Sequence, residues 1–171
     1  MPTPGGCWKM VGRIWVFGDD VNTDLIIPGR YLDNYDPKHL AAHAMEGASK
    51  EFPAKVMPGD IIVAGENFGC GSSREQAVLA LKHAGVSAVV AKSFARIFYR
   101  NSVNLGLMAL VSKSARDLFE DGESASLDAA ENSLVSADKR KKARIEPIPA
   151  HIARILDKGG LVPYIKDRLK R

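Results

Sequence analysis

Cysteine is scarce: Cys7 and Cys70 are the two in 171 residues. Two thiols make no disulfide framework, and on their own they do not supply the ligand set of a zinc site or an iron–sulfur cluster. Long apolar runs are missing as well. None approaches the roughly 18 residues of a membrane span. The first residues, Met1-Pro2-Thr3-Pro4-Gly5-Gly6-Cys7, lack the apolar stretch of a secretory signal. No membrane role is expected, and the cytoplasm is the expected compartment. The common nucleotide loops fail too. A P-loop needs Lys-Ser/Thr after its last glycine, whereas Gly71 leads to Ser72-Ser73. A dinucleotide fingerprint needs glycine where Arg74 stands, and the hydrolase elbow G-x-S-x-G has no match at this turn.

What is present is ordinary for a globular chain: 46% hydrophobic and 26% charged. The length suits one domain over residues 1–171, with a loose tail at 1–10 and a basic helical segment at 139–171. That segment holds 11 Lys/Arg against three Asp/Glu, while residues 1–138 hold 13 against 17. Tyr164 is the sole aromatic among those basic residues and no nucleic-acid signature is present. A solvated basic face is the expectation there, and nucleic acid is not an expected partner.

Periodicity predicts an α/β chain. Val11–Phe17 reads as a first strand, followed by turn chemistry at Gly18–Asp24. Asp36 caps a short helix with Pro37 at its first position, running toward Gly47. Ile61–Ala64 is an apolar strand, 75–84 an amphipathic helix stopped by Gly85, and 86–91 a second apolar strand. Together they make one βαβ unit, in which ligands sit beyond the carboxyl ends of the strands. Ser93 is placed to cap a helix carrying Phe94, Ile97 and Phe98, with Arg96 and Arg100 one turn apart. A strand at 107–111, short strands near 124–128 and 133–136, a basic connection at 139–144 and helices around 150–158 and 161–169 complete the reading.

The working stretch is Gly65-Glu66-Asn67-Phe68-Gly69-Cys70-Gly71-Ser72-Ser73-Arg74-Glu75. A strand, a glycine-rich turn and a helix start collect main-chain N–H groups and aim them at an anion. Ser72 to Glu75 also fits a capping box, as does Ser73 to Gln76. Spacing therefore fits two roles, a helix cap or a free hydroxyl activated by N–H donors and Arg74. Since one residue alone can be the cap, at least one hydroxyl is expected to be spare. Arg74 offers a planar fork for a carboxylate, or a surface ion pair. Cys70 reads as a small turn-packing residue. His39 and His43 read as a partly exposed helix face, and Asp19, Asp20 and Asp24 as loop-forming residues.

Three motifs in order resemble one family: Gly18-Asp19-Asp20-Val21-Asn22-Thr23-Asp24-Leu25-Ile26-Ile27-Pro28, the glycine stretch above, and Ala91-Lys92-Ser93-Phe94-Ala95-Arg96-Ile97-Phe98-Tyr99-Arg100-Asn101. The ending Gly160-Leu161-Val162-Pro163-Tyr164 is similar as well. The family is the small subunit of 3-isopropylmalate dehydratase, the swivel domain of the aconitase superfamily. The resemblance implies a swivelling β/β/α domain that pairs with a larger subunit holding a [4Fe-4S] cluster, with no metal or cofactor in this chain. It implies Ser72 as general base, and Ser73, Arg74, Gly71 and Cys70 around a small di- or tricarboxylic hydroxy acid. It also implies a specificity loop at Arg30, Tyr31, Leu32, Asp33 and Asn34. An arginine in that loop would suit a carboxylate-bearing chain such as homoaconitate, and apolar residues would suit isopropyl. Asp33-Asn34-Tyr35 matches neither pattern cleanly; an acidic Asp33 should repel an added carboxylate, which points to isopropylmalate, while Arg30 weakens that inference. Homoaconitate, dimethylmalate and methylmalate stay open, as does a non-catalytic carboxylate-binding module on the same fold.

Overall fold

The computed structural model describes residues 8–170. In chain order the elements are β1 (Lys9–Val16), α1 (Thr23–Ile26), a 3-10 turn at Gly29–Tyr31, α2 (Pro37–Ala41), α3 (Phe52–Lys55), β2 (Ile61–Ala64), α4 (Glu75–His83), β3 (Ala88–Ala91), α5 (Arg96–Leu105), β4 (Met108–Val111), α6 (Ala115–Leu118), β5 (Ser124–Asp128), β6 (Ser133–Ser136), β7 (Lys142–Arg144), α7 (Ala150–Asp157) and α8 (Leu161–Leu169). The strands follow the order β4-β3-β2-β1-β5-β6-β7. β1 serves both halves. Ile14–Val16 pair in parallel with Ile61–Val63, while Lys9–Arg13 run antiparallel to β5.

The parallel strands are short, apolar and buried on both faces, the pattern that crossover helices impose. Alternate residues enter different cores. Ile62, Ala64, Val89 and Ala91 pack with Val78, Leu81 and Phe98 of the helices. Ile61, Val63, Ala88 and Val90 pack with Ala125, Leu127, Leu134 and Ala143 of the antiparallel strands and with Leu156 of α7. Helices, parallel strands and antiparallel strands thus form the β/β/α arrangement expected from the resemblance. Where β1 changes partners the backbones crowd together. A Cβ on Gly12 would lie 1.9 Å from the Gly59 carbonyl oxygen, so no side chain fits.

Several local expectations are corrected. Residues 1–7 of the expected tail, Cys7 among them, lie outside the described residues; residues 9 and 10 are already in β1, and Trp8 is buried. The helix begun at Pro37 ends at Ala41 and gives way to turns. The basic stretch 139–144 contains β7, whose Ala143 is buried, so 139–171 is helical only from Ala150 onward. Ser93 does not cap α5, which starts at Arg96 behind Ala95 with no side-chain cap. The short elements α1, α3 and α6 have four residues each, too few for a periodic signal.

One buried carboxylate ties β1 to the entrance of β2. Asp60 Oδ2 accepts from Trp15 Nε1 at 2.8 Å, Arg13 Nη2 at 3.0 Å and the Met57 N–H at 3.0 Å. Burial pushes its pKa up, but the bonds from Trp15, Met57 and Arg13 together outweigh burial and hold it below the ordinary carboxylate range. A depressed carboxylate stabilises the fold above its unfolded pKa, and that contribution is lost as pH falls through the folded value. Asp60→Ala should cost about 3 kcal/mol in urea unfolding at pH 7, because it strands the Trp15 and Met57 donors. The difference between wild type and variant should shrink below about pH 4. An equal gap at pH 7 and pH 3 would remove the charge from this account.

Candidate active site

The glycine-rich turn leaves the carboxyl end of β2 and is clamped by main-chain bonds on both sides. From the 18–23 segment, Gly18 O accepts from Gly65 N at 3.0 Å, Val21 O from Gly69 N at 2.7 Å, and Thr23 N donates to Cys70 O at 2.9 Å. From the other side Ser93 O accepts from Phe68 N, and Ala95 N donates to Phe68 O, each at 3.0 Å. Ser93 Oγ accepts from Asn67 N at 2.8 Å, so this hydroxyl secures the turn rather than a helix. The acids of the 18–24 segment play the loop roles their types suggest. Asp19 Oδ1 accepts from Glu66 N at 2.7 Å, and Asp20 Oδ1 from Asn67 Nδ2 at 3.0 Å.

Neither serine caps α4. The cap position belongs to Arg74, in extended conformation and without a side-chain capping bond. Ser72 and Ser73 are exposed, and their hydroxyls bond to nothing among the described residues. The Ser72 carbonyl instead accepts from Thr23 Oγ1 at 3.1 Å, which fixes the backbone under the free hydroxyl. The main-chain N–H groups of Gly71, Ser72 and Ser73 likewise donate to no other described group. Free N–H groups at the start of a nine-residue helix give the spot a positive potential.

Arg74 is oriented from behind. Its Nη1 contacts Asp24 Oδ1 at 2.5 Å and Ile27 O at 3.4 Å, leaving Nε and Nη2 for another partner. The ion pair foreseen as an alternative for this arginine exists, yet it occupies one nitrogen of the fork. Ser72, Ser73 and Arg74 line a cleft of about 570 Å³, a size typical of small-molecule sites. Arg96, Ile97, Arg100 and Asn101 of α5 line the same cleft. Arg96 and Arg100 form no ion pair with any described residue. Sequence reading noted their spacing and assigned them no site role. The absence of an acidic residue one turn away on α5 was the available signal.

Of the other expected site residues, one lines the cleft and the rest stand apart. Gly71 lines the cleft, whereas Cys70 is half-buried beside it, its thiol pushed up first by burial and then by the Asp20 charge. That is the opposite of an activated thiolate. Arg30 lies in a neighbouring groove of about 630 Å³, Tyr31 and Leu32 pack on the helical core, and Asp33 and Asn34 are exposed. Within this chain the Arg30–Asn34 stretch is not part of the cleft wall. His43 stacks on Tyr31, and His39 meets both rings edge-on. Among the described residues no group of three or more His, Cys, Asp or Glu is placed to hold a metal ion. Cys70 is the one thiol among the described residues, and a single thiolate does not make the ligand set of an iron–sulfur cluster.

Gly69 joins the turn to the α5 wall. It has φ +80°, and an added Cβ would lie 2.1 Å from Phe98 Cγ, a ring boxed in by Phe68 and Phe94. Gly69→Ala should cost about 2 kcal/mol or more in urea unfolding, combining left-handed strain with overpacking. A variant as stable as wild type would mean that α5 and the turn can separate freely.

With this geometry in view, comparison with known proteins is direct. The model of the aconitase C-terminal domain matches residues 20–115. The small subunit 1 of 3-isopropylmalate dehydratase from Methanopyrus kandleri is 56% identical over 155 residues, 91% of each chain. The methanogen homoaconitase small subunit of Methanocaldococcus jannaschii is 52% identical over 157 residues, 92% of this chain and 91% of that one. A crystal structure of 3-isopropylmalate dehydratase from Methanocaldococcus jannaschii superimposes with a TM-score of 0.91 at 50% identity, covering 95% of this chain and 96% of the other. With nearly the whole length matched in sequence and in backbone, this chain belongs to the small-subunit family of 3-isopropylmalate dehydratase and homoaconitase, built on the aconitase C-terminal domain.

Proposed function

We propose that the chain is the small subunit of a cytoplasmic, two-subunit hydro-lyase, a 3-isopropylmalate dehydratase that interconverts 2- and 3-isopropylmalate in leucine biosynthesis. The observation that carries this reading is a spare, exposed Ser72 hydroxyl beside Arg74 and unpaired N–H groups in one cleft. Its partner is a larger subunit, and the [4Fe-4S] cluster belongs there.

Arg74 takes a substrate carboxylate with Nε and Nη2 while Asp24 holds Nη1. Ser73 and the N–H groups of Gly71 and Ser72 add donors to the same carboxylate. Ser72, as the alkoxide, removes the proton from the carbon beside that carboxylate. The bond pair left behind is drawn toward carboxylate oxygens already surrounded by positive charge, which makes a weak C–H acid accessible. An alkoxide is costly in water. The start of α4 and the guanidinium beside it lower that cost. In the reverse direction the Ser72 hydroxyl returns the proton to carbon.

The methanogen homoaconitase small subunits, at 52% identity, favour a second reading with a longer, tricarboxylic substrate. The 3-isopropylmalate dehydratase small subunit 1 of Methanopyrus kandleri, at 56% identity, favours the first. Co-expression with a cluster-bearing large subunit and assay on both acids tests the choice. Isopropylmalate should be preferred, and turnover of homoaconitate alone would reverse the assignment.

Ser72→Ala should leave assembly intact and lower kcat by a factor on the order of 10²–10⁴, the usual contribution of a general base. Near wild-type turnover would remove Ser72 from its role. Arg74→Lys keeps the charge but loses the fork, so KM should rise by about tenfold or more. An unchanged KM would shift the carboxylate to another residue.

A further inference from the structure

The cleft that holds Ser72 is lined by three arginines and by no Asp or Glu. Arg74 is partly matched by Asp24 behind it. Arg96 and Arg100 are exposed, and neither guanidinium has a hydrogen-bond or ion-pair partner among the described residues. Three arginines less one carboxylate leave a surplus of two positive charges, the complement of a dicarboxylate. Arg74 accounts for one carboxylate of such an acid, and the other has no assigned partner in this chain.

The placement of the free pair is unfavourable to the helix that carries it. Arg96 opens α5, Arg100 follows one turn later, and the first turn contains no acid. Like charges four apart on a helix repel, and cations at a helix start meet the positive end of its dipole. No carboxylate among the described residues offsets either effect. An anion in the cleft would offset both. Side chains four apart leave the helix about 6 Å from one another, so one carboxylate can bridge the two guanidinium groups.

The wall that carries this pair is packed onto the wall that carries Ser72. Phe98, on the buried side of α5, meets Phe68 of the glycine turn edge-on at 5.2 Å and stacks on Phe94 at 6.2 Å. Ala95 N, at the cap of α5, donates to Phe68 O at 3.0 Å. The two walls thus form one unit, and the charges on them are in place before a ligand arrives.

We propose that Arg96 and Arg100 together bind the second carboxylate of the substrate, across the cleft from the carboxylate held by Arg74. A dicarboxylic acid is then gripped at both ends, with the carbon that loses its proton presented to Ser72. The inference rests on the hydro-lyase reading above.

The test uses the complex with the cluster-bearing subunit and the variants Arg96→Gln, Arg100→Gln and both together. In the double variant KM for isopropylmalate should rise by about tenfold, since each exposed charge pair contributes up to about fivefold. Its kcat should stay within about threefold, because the lost binding is shared by ground and transition states. Succinate and butyrate, tested as inhibitors, separate the second carboxylate from the first. The double variant should weaken succinate by the same factor as KM and leave butyrate unchanged, so that the preference for the dicarboxylate disappears. An unchanged KM, or an equal loss for succinate and butyrate, overturns the proposal. So does weaker assembly, read by titration with the cluster-free large subunit, if KM is wild-type once that partner is saturating; the arginines would then meet the partner and not the substrate. A wild-type complex inactive on isopropylmalate sinks the hydro-lyase reading by itself. Calorimetry of succinate with the wild-type and double-variant complexes then still decides the role of the arginines: weaker binding in the variant supports it, and equal or absent binding in both overturns it.

Discussion

The structure depends on a turn that behaves like a strand. Residues 65–70, two of them glycine, accept and donate main-chain bonds to 18–23 on one flank and 92–95 on the other. Such bonds are each worth about 1 kcal/mol net, but together they fix backbone positions that a loose loop would average over. The payoff is geometric. The turn delivers Ser72, Ser73 and Arg74 to the mouth of the cleft with the first turn of α4 directly behind them. Gly69 lets α5 come close enough for its arginines to line the same space.

Charge is distributed around this frame by the same device used three times, a carboxylate that takes up part of an arginine. Asp60 is buried and shares its Oδ2 among Trp15, Met57 and Arg13, so it stiffens the root of β2. Asp24 is mostly exposed and holds one nitrogen of Arg74, so it orients without consuming the fork. Glu46 is partly exposed and engages both Arg30 and its stacked neighbours. Arg96 and Arg100, which have no carboxylate partner among the described residues, line the cleft together with Arg74. An anion entering there meets cations whose charge is still available.

Much of this was legible from local signals. The βαβ unit was readable because apolar runs bounded by Gly and Pro report backbone conformation within a few residues. The strands 124–128 and 133–136 matched their expected bounds for the same reason. The glycine turn stood out because three glycines, two hydroxyls and an arginine have no use in an ordinary connection. The four-residue helices and β7 were not readable, since a segment so short shows no period, and Ala143 is recognised as core only once β6 is beside it.

The amino-acid order alone determined the parallel core, the place of the glycine-rich corner and the identity of the residues on it, because each is encoded within one element and its flanking turns. Tertiary structure decided that both hydroxyls were spare. Both serines fitted a capping box, and the clamp from Thr23 and Cys70 left the cap to Arg74 instead. It also decided that Ser93 would hold the turn, that α5 would supply the second wall, and that Arg30 would turn toward Glu46. Each of these contacts joins residues 16 to about 50 positions apart, and only the packing of whole elements against one another brings such residues into reach.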